Sequence, residues 1–335
     1  MSDSLGVLLV IVGIVAVGLY QLVRSQQAQG AGRAGSMKVE IRRARGFYVR
    51  TGVYVVFLVF LYLPILVIGI LSFQGPTGGL TFPMEGWSFH WFGEVFDPTY
   101  IGDFRMPWVR SVILALIVMV LTTIVSFLAG LAYRRGFRFS GLIFYLVVAS
   151  LIAPPFLVSM GIGIGFAKLG LLTSWWTGTL GAHLTWTLPF GVLIMLAIFS
   201  RLDRSIEEMA RDQGATAWQS MRHVVLPIVF PGMIAVALFG FTLSYDEFPR
   251  SSLVTGDGNT LPVEMVAVTG TAARPSLYAV GTMTTVFSLA VIFAGFAAVY
   301  IISRRRAGAL AAAGSVPEGE RYGKALRGAP EQPAE

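Results

Sequence analysis

The sequence predicts an all-α, polytopic membrane protein, and three observations carry that reading. Hydrophobic residues fill 55% of the 335 positions and charged ones only 13%, which is more apolar surface than a soluble core of this length can bury. The apolar residues gather in seven runs free of Asp, Glu, Lys and Arg, at 5–23, 51–73, 111–133, 141–167, 180–200, 226–245 and 279–303. Each is close to the roughly 20 residues that a helix needs to cross a hydrocarbon layer about 30 Å thick. The runs are continuously apolar; a closed barrel would instead show alternating segments of about 10 residues.

The first run lacks a basic segment before it and a small-residue cleavage pattern after it, so it reads as a retained helix and not as a signal peptide. A Gln, Gly and Ala-rich stretch at 25–36 and a basic stretch at 38–50 follow. A shorter chain would start at Met37. Residues 1–36 are therefore expected to form an accessory transmembrane helix and linker, 37–306 a six-helix transmembrane domain, and 307–335, rich in Ala, Gly, Pro and charge, a disordered tail.

Loop charge sets the orientation. With 201–225 placed inside, only Arg105, Arg110, Lys168, Arg250 and Arg274 of the 25 basic residues fall outside. That arrangement puts the C-terminus in the cytoplasm and the N-terminus outside. The net charge of +7 thus reports topology and gives no reason to expect nucleic-acid binding. The absence of Cys excludes disulfide and thiol chemistry. No phosphate-binding Gly-rich loop, metal-ligand cluster or nucleophile triad is present, so no enzyme and no metal site is expected.

Two segments, 74–110 and 246–278, are too polar to span. Trp87, Phe89, Trp91 and Phe92, with Trp175, Trp176 and Trp186, read most simply as an interfacial aromatic belt, with a partner contact as the alternative. Pro154-Pro155 breaks the fourth run in mid-membrane, where freed backbone groups must be buried or face water. His183 reads as a hydrogen-bonded core residue.

The 201–225 loop is the least ordinary part of the chain. Ser205 with Glu208 makes a capping box that starts a short helix at Ile206, Gly214 ends it in the left-handed conformation, and Thr216 with Gln219 starts a second helix that runs to Pro227. Met209, Ala210, Ala215, Trp218 and Met221 give these helices an apolar side that something should cover. A docking element is favoured over a lipid-surface helix, because Glu207, Glu208 and Asp212 offset the four Arg.

The stretch Glu208-Met-Ala-x-Asp-x-Gly214-Ala, followed by Leu226-Pro227 and Pro231, resembles the EAA loop of permease subunits in binding-protein-dependent ABC importers; Met209 replaces one Ala of the pattern. The resemblance implies a six-helix importer permease core, with the first helix outside the family's minimal pattern. It also implies a coupling helix seated on an ATPase, formed here by Glu207, Glu208, Met209, Ala210, Asp212, Gly214, Ala215, Leu226 and Pro227. The partners so implied are an ABC ATPase dimer that binds ATP and Mg, a second permease subunit in a heterodimer, and a periplasmic or extracellular substrate-binding protein. The chain itself would hold no cofactor and sit in a bacterial plasma (inner) membrane.

Tyr62-Leu-Pro-Ile-Leu, Ser244-Tyr-Asp-Glu-Phe, Thr255-Gly and Leu261-Pro262 resemble the second permease of spermidine and putrescine importers. Relatives for ferric iron, thiamine, aminophosphonates and opine-like compounds share much of this pattern. Asp246 and Glu247, where a span meets the outer side, suit a cationic solute, with Tyr245 and Glu264 as further path candidates. Alternatively, the two acids cap the helix mouth and pair with Arg250. A secondary transporter or a membrane enzyme is the reading from another class. It would need paired repeats or intramembrane titratable clusters, and neither is found.

Overall fold

A computed structural model describes residues 45–97, 103–271 and 274–314. The expected first helix at 5–23, its linker and the tail from 315 lie outside the described residues. The chain divides into two compact units, 1–63 and 64–335, at Pro64 inside the first described helix.

The described elements are α1 (Arg45–Leu71), α2 (His90–Glu94), α3 (Arg105–Arg135), α4 (Ser140–Ile152), α5 (Pro155–Lys168), α6 (Gly178–Phe199), α7 (Ser205–Asp212), α8 (Ala217–Ser220), α9 (Leu226–Tyr245), α10 (Leu261–Thr271) and α11 (Ser276–Gly314). A π-helical turn, Met221–Val225, joins α8 to α9. Among the described residues, five helical stretches are long and apolar enough to cross a membrane: Thr51–Leu71, Arg105–Arg135, Gly178–Phe199, Ala217–Tyr245 and Ser276–Ile302.

The fourth apolar run departs from a single straight span. It forms α4 and α5, bent by 105° at the break before Pro155. Pro154 and Pro155 lack backbone donors, and a proline ring collides with the preceding turn, so the helix restarts with Pro155 in its first turn. The α4–α5 pair still carries the chain across. The C-terminus of α3 and that of α6 meet at one end of the bundle, where Arg134 donates to the Phe199 carbonyl at 3.1 Å. At the opposite end Ser159 of α5 donates to the Arg250 carbonyl at 2.6 Å. Parallel α3 and α6 need one crossing between them, and only α4–α5 supplies it. Six crossings result among the described residues.

Helix α11 continues through Gly314, past the boundary expected at 306, because Ala309-Leu-Ala-Ala-Ala are strong helix formers. The polar 246–278 segment also contains an unexpected helix, α10.

Helices α3, α6 and α9 pack closely because small and hydroxylated residues face one another. A Cβ on Gly191 would collide with Ser126 Oγ and Thr122 of α3, and one on Gly130 would lie 2.5 Å from the Phe199 ring. Thr122 donates to Thr187 at 3.0 Å between the same helices. In lipid, where apolar contact between helices gains nothing over contact with acyl chains, such close approach and interhelical hydrogen bonding hold the bundle. The core falls into two clusters. One gathers Trp91, Phe104, Phe241, Tyr245 and Leu261; the other, at the α7 end, gathers Met195, Phe199, Leu202, Val225 and Val229.

Candidate functional site

The 201–225 loop folds as two short helices joined at Gly214. Ser205 does not cap α7. It lies in the first turn, and the carboxylate of Asp203 accepts its N–H at 3.0 Å. That bond holds the Asp203 carboxyl below the usual carboxylate range. The helix starts one residue earlier than the spacing predicts, with Arg204 at the N-cap position, and Asp203 just before it pairs with the first amide that the helix leaves free.

Gly214 has φ 85°. Around it, Gly214 N–H donates to the Arg211 carbonyl at 2.8 Å and Ala215 N–H to that of Ala210 at 3.0 Å, the paired bonds of a Schellman ending. The second capping box forms as the spacing predicts: Thr216 N–H donates to Gln219 Oε1 at 2.8 Å, and Gln219 N–H to Thr216 Oγ1 at 3.3 Å.

The apolar side of these helices divides. Ile206 and Met221 pack into the cluster around Met195 and Phe199, which seats the loop on its own bundle. Met209 is 55% and Trp218 70% exposed, one on each helix. Glu208, Asp212 and Gly214 are exposed, Ala210 and Ala215 half-buried. Leu226 and Pro227 are half-buried where the π-turn enters α9. Glu207 turns the other way from Glu208, lying 2.8 Å from Arg134 Nη2 at the end of α3. No local signal in the sequence ties Arg134 to a residue so far along the chain.

At the opposite end, the four path candidates separate. Tyr245 is fully buried, stacked on Phe241 and edge-on to Trp108. Glu247 is buried and pairs with buried Arg250, accepting its N–H at 2.9 Å with Nη1 at 3.5 Å. Glu264 accepts from Asn259 Nδ2 at 2.8 Å. Only Asp246 is exposed, and it lines a cavity of about 520 Å³ with Pro262, Met265, Thr284, Thr285 and Ser288. One carboxylate set among hydroxyls and methyl-bearing walls is chemically suited to a cation with an apolar body.

His183 is buried, with Nδ1 2.8 Å from Ser244 Oγ and Nε2 2.8 Å from Ser251 Oγ. It is a hydrogen-bonded core residue. Of the aromatic residues read as a belt, Trp87, Phe89 and Trp176 are exposed. Two other members are less exposed. Trp91 is buried, and the Trp186 ring carries the Arg250 guanidinium 4.4 Å from its centre, because a buried arginine needs a polarisable face as well as its one carboxylate.

A bundle of membrane-length helices carrying a short, capped, half-uncovered helical pair is a polytopic membrane protein. Residues 122–308 match the model of the binding-protein-dependent transport system inner membrane component family, and the chain belongs to that family. It is 29% identical to the spermidine/putrescine transport system permease protein PotC of Haemophilus influenzae over 251 residues, covering 73% of this chain and 94% of that one. It is 30% identical to the putrescine transport system permease protein PotI of Escherichia coli strain K12 over 258 residues, covering 73% and 87%. The fold is similar to a chain in the crystal structure of a bacterial ABC transporter involved in alginate import, with TM-score 0.53, 18% identity, and coverage of 79% of this chain and 99% of that one. The chain is thus a multi-pass inner-membrane permease subunit of an ABC importer.

Proposed function

We propose that this permease moves a small cationic solute, a polyamine of the spermidine or putrescine kind, and is driven by an ATPase dimer docked on the 205–227 loop. The observation that carries the reading is the pairing of two unfilled features at opposite ends of one bundle: exposed Met209 and Trp218 beside Glu208, and Asp246 in its cavity. The loop end is cytoplasmic, as the basic loops indicate, with the C-terminus on the same side. A second, different permease chain completes the path, and an outer binding protein delivers the solute.

The loop is mechanical, not chemical. ATPase closure pushes on α7 and α8, the push passes through the π-turn into α9 and through the packed α3–α6 pair, and the bundle rocks between its two access states. ATP and Mg belong to the partner. Polyamine specificity is supported by the names of the two relatives and by the carboxylate chemistry of Asp246, whose charge an ammonium group can pair with.

The test is uptake of labelled spermidine, putrescine, ferric iron and thiamine by the reconstituted transporter. Polyamine uptake that falls about tenfold in Asp246→Asn, with assembly intact, agrees with the reading. Uptake of another solute alone, or unaltered polyamine uptake in the variant, rejects the assignment.

A further inference from the structure

We infer that Arg134 is a positioning residue that locks the coupling helix to the bundle, so that α3, α6 and α7 move together. The inference rests on the coupling role proposed above and adds a residue outside the loop. Arg134 sits in the last turn of α3, and its side chain reaches three places at once. Nη1 donates to the carbonyls of Phe199 at 3.1 Å and Leu202 at 2.7 Å, where α6 ends, and Nη2 lies 2.8 Å from Glu207 Oε1 on α7.

The planar guanidinium can donate to two carbonyls through Nη1 while Nη2 holds the Glu207 carboxylate as an ion pair. The Phe199 carbonyl, in the last turn of α6, also accepts from Leu202 N–H at 3.2 Å, and the Leu202 carbonyl follows in the turn that leads to α7. The contact is reciprocal: the Arg204 guanidinium, just before α7, donates to the backbone carbonyl of Arg134. Side chain from α3 to the α6–α7 turn, and side chain from that turn back to α3, form a two-way clasp.

Its surroundings make it stiff. One turn back from Arg134, Gly130 lets the Phe199 ring rest directly on α3, and on the far side of the turn half-buried Ile206 packs against the same cluster as Phe199. Only a tenth of the Arg134 side chain and a fifth of Glu207 remain exposed, so salt screens the pair less than it would a surface pair. A cavity of about 700 Å³ lies beside the clasp, lined by Tyr133, Arg134, Phe199, Leu202, Asp203 and Arg204. The other end of the loop needs no clasp, since α8 runs through the π-turn into α9 as one continuous helical stretch. The first end is joined to α6 only by the non-helical 200–204 turn, so side chains must carry the force there.

The test is the ratio of solute imported to ATP hydrolysed, in proteoliposomes holding the complete transporter with its binding protein. A merely destabilised permease lowers both quantities together and leaves the ratio alone; a slack coupling helix lowers the ratio. Arg134→Gln should cut it about tenfold, within the usual range of coupling between sites. Glu207→Gln should cut it less, because the two carbonyl contacts survive. The double variant should be no worse than Arg134→Gln, since both act through one clasp. A normal ratio in Arg134→Gln overturns the inference, as does a double variant whose loss is the product of the two singles. Should Arg134→Gln fail to assemble, Glu207→Gln decides alone, and an unchanged ratio there overturns it. A wild-type transporter without ATP-dependent uptake would instead sink the coupling reading itself, whereas normal wild-type coupling with a normal Arg134→Gln ratio removes only the clasp.

Discussion

Gly214 is where the loop depends most on one atom being absent. At φ 85° a side chain is strained whatever the space around it, by about 1–2 kcal/mol for an L-residue in the left-handed region. Gly214→Val should therefore unwind the end of α7 and lower uptake per ATP while the permease still inserts; intact coupling in that variant would contradict the role given to the bend. Asp203 gives a pH-dependent counterpart at the start of the same helix. Its folded pKa lies below the ordinary value, so its stabilisation is complete above about pH 4 and is lost as pH falls through the folded value. Hydrogen exchange at the Glu207 and Glu208 amides, corrected for intrinsic rate, should show constant protection from pH 8 to pH 5 and less protection only in stronger acid. Asp203→Asn keeps an acceptor and should abolish that dependence. Of the residues singled out here, Gly214, Thr216 and Gln219 were legible in the sequence because their partners lie within four positions. The pairing of Arg134 with Glu207 was not, because 73 positions separate them and only packing brings them within 2.8 Å.

Elements show the same division between local and distant causes. The apolar runs located α1, α3, α6, α9 and α11, and Pro154-Pro155 located the break between α4 and α5. The π-turn at Met221–Val225 was not legible, although its cause is local: Pro227 has no N–H, and its ring would press on the carbonyl four residues back, so the turn before it widens. That turn rotates α8 relative to α9 and leaves Trp218 exposed while Met221 is held in the core. The α3–α6 seam sets a second expectation. Gly191→Ala places a methyl against Ser126 and Thr122 and strains the Thr122–Thr187 hydrogen bond. Overpacking of this kind costs about 1–3 kcal/mol. The melting temperature of the detergent-solubilised permease should fall accordingly, and an unshifted midpoint would show that the helices can separate at no cost.

For the whole molecule, the exposed pair Met209 and Trp218 should matter for assembly and not for insertion. Met209→Arg together with Trp218→Ser removes the apolar contact without touching a membrane-facing residue. The doubly substituted permease should reach the membrane at wild-type amount yet retain little ATPase through affinity purification. Full ATPase recovery would place the docking surface elsewhere. The six crossings among the described residues also give a topology test: tags placed at 137 and 203 should report the same side, and a tag at 257 the opposite one. That α4–α5 crosses the membrane, and does not turn back, follows from α3 and α6 ending together, a fact of assembly that no single run of residues contains.

By itself the sequence determined the membrane class, the position of five apolar helices and of the break in a further run, the sidedness expected from the basic loops and the capped helical pair with its motif. All of these follow from composition and from contacts a few residues long. Only the tertiary structure decided which polar groups are free to act. It buried Tyr245 and paired Glu247 with Arg250, leaving Asp246 alone in a cavity; it turned Glu207 inward to Arg134 and left Glu208 outward. Adjacent carboxylates look alike in a sequence, and their roles separate only when folding commits one of each pair to a partner from another part of the chain.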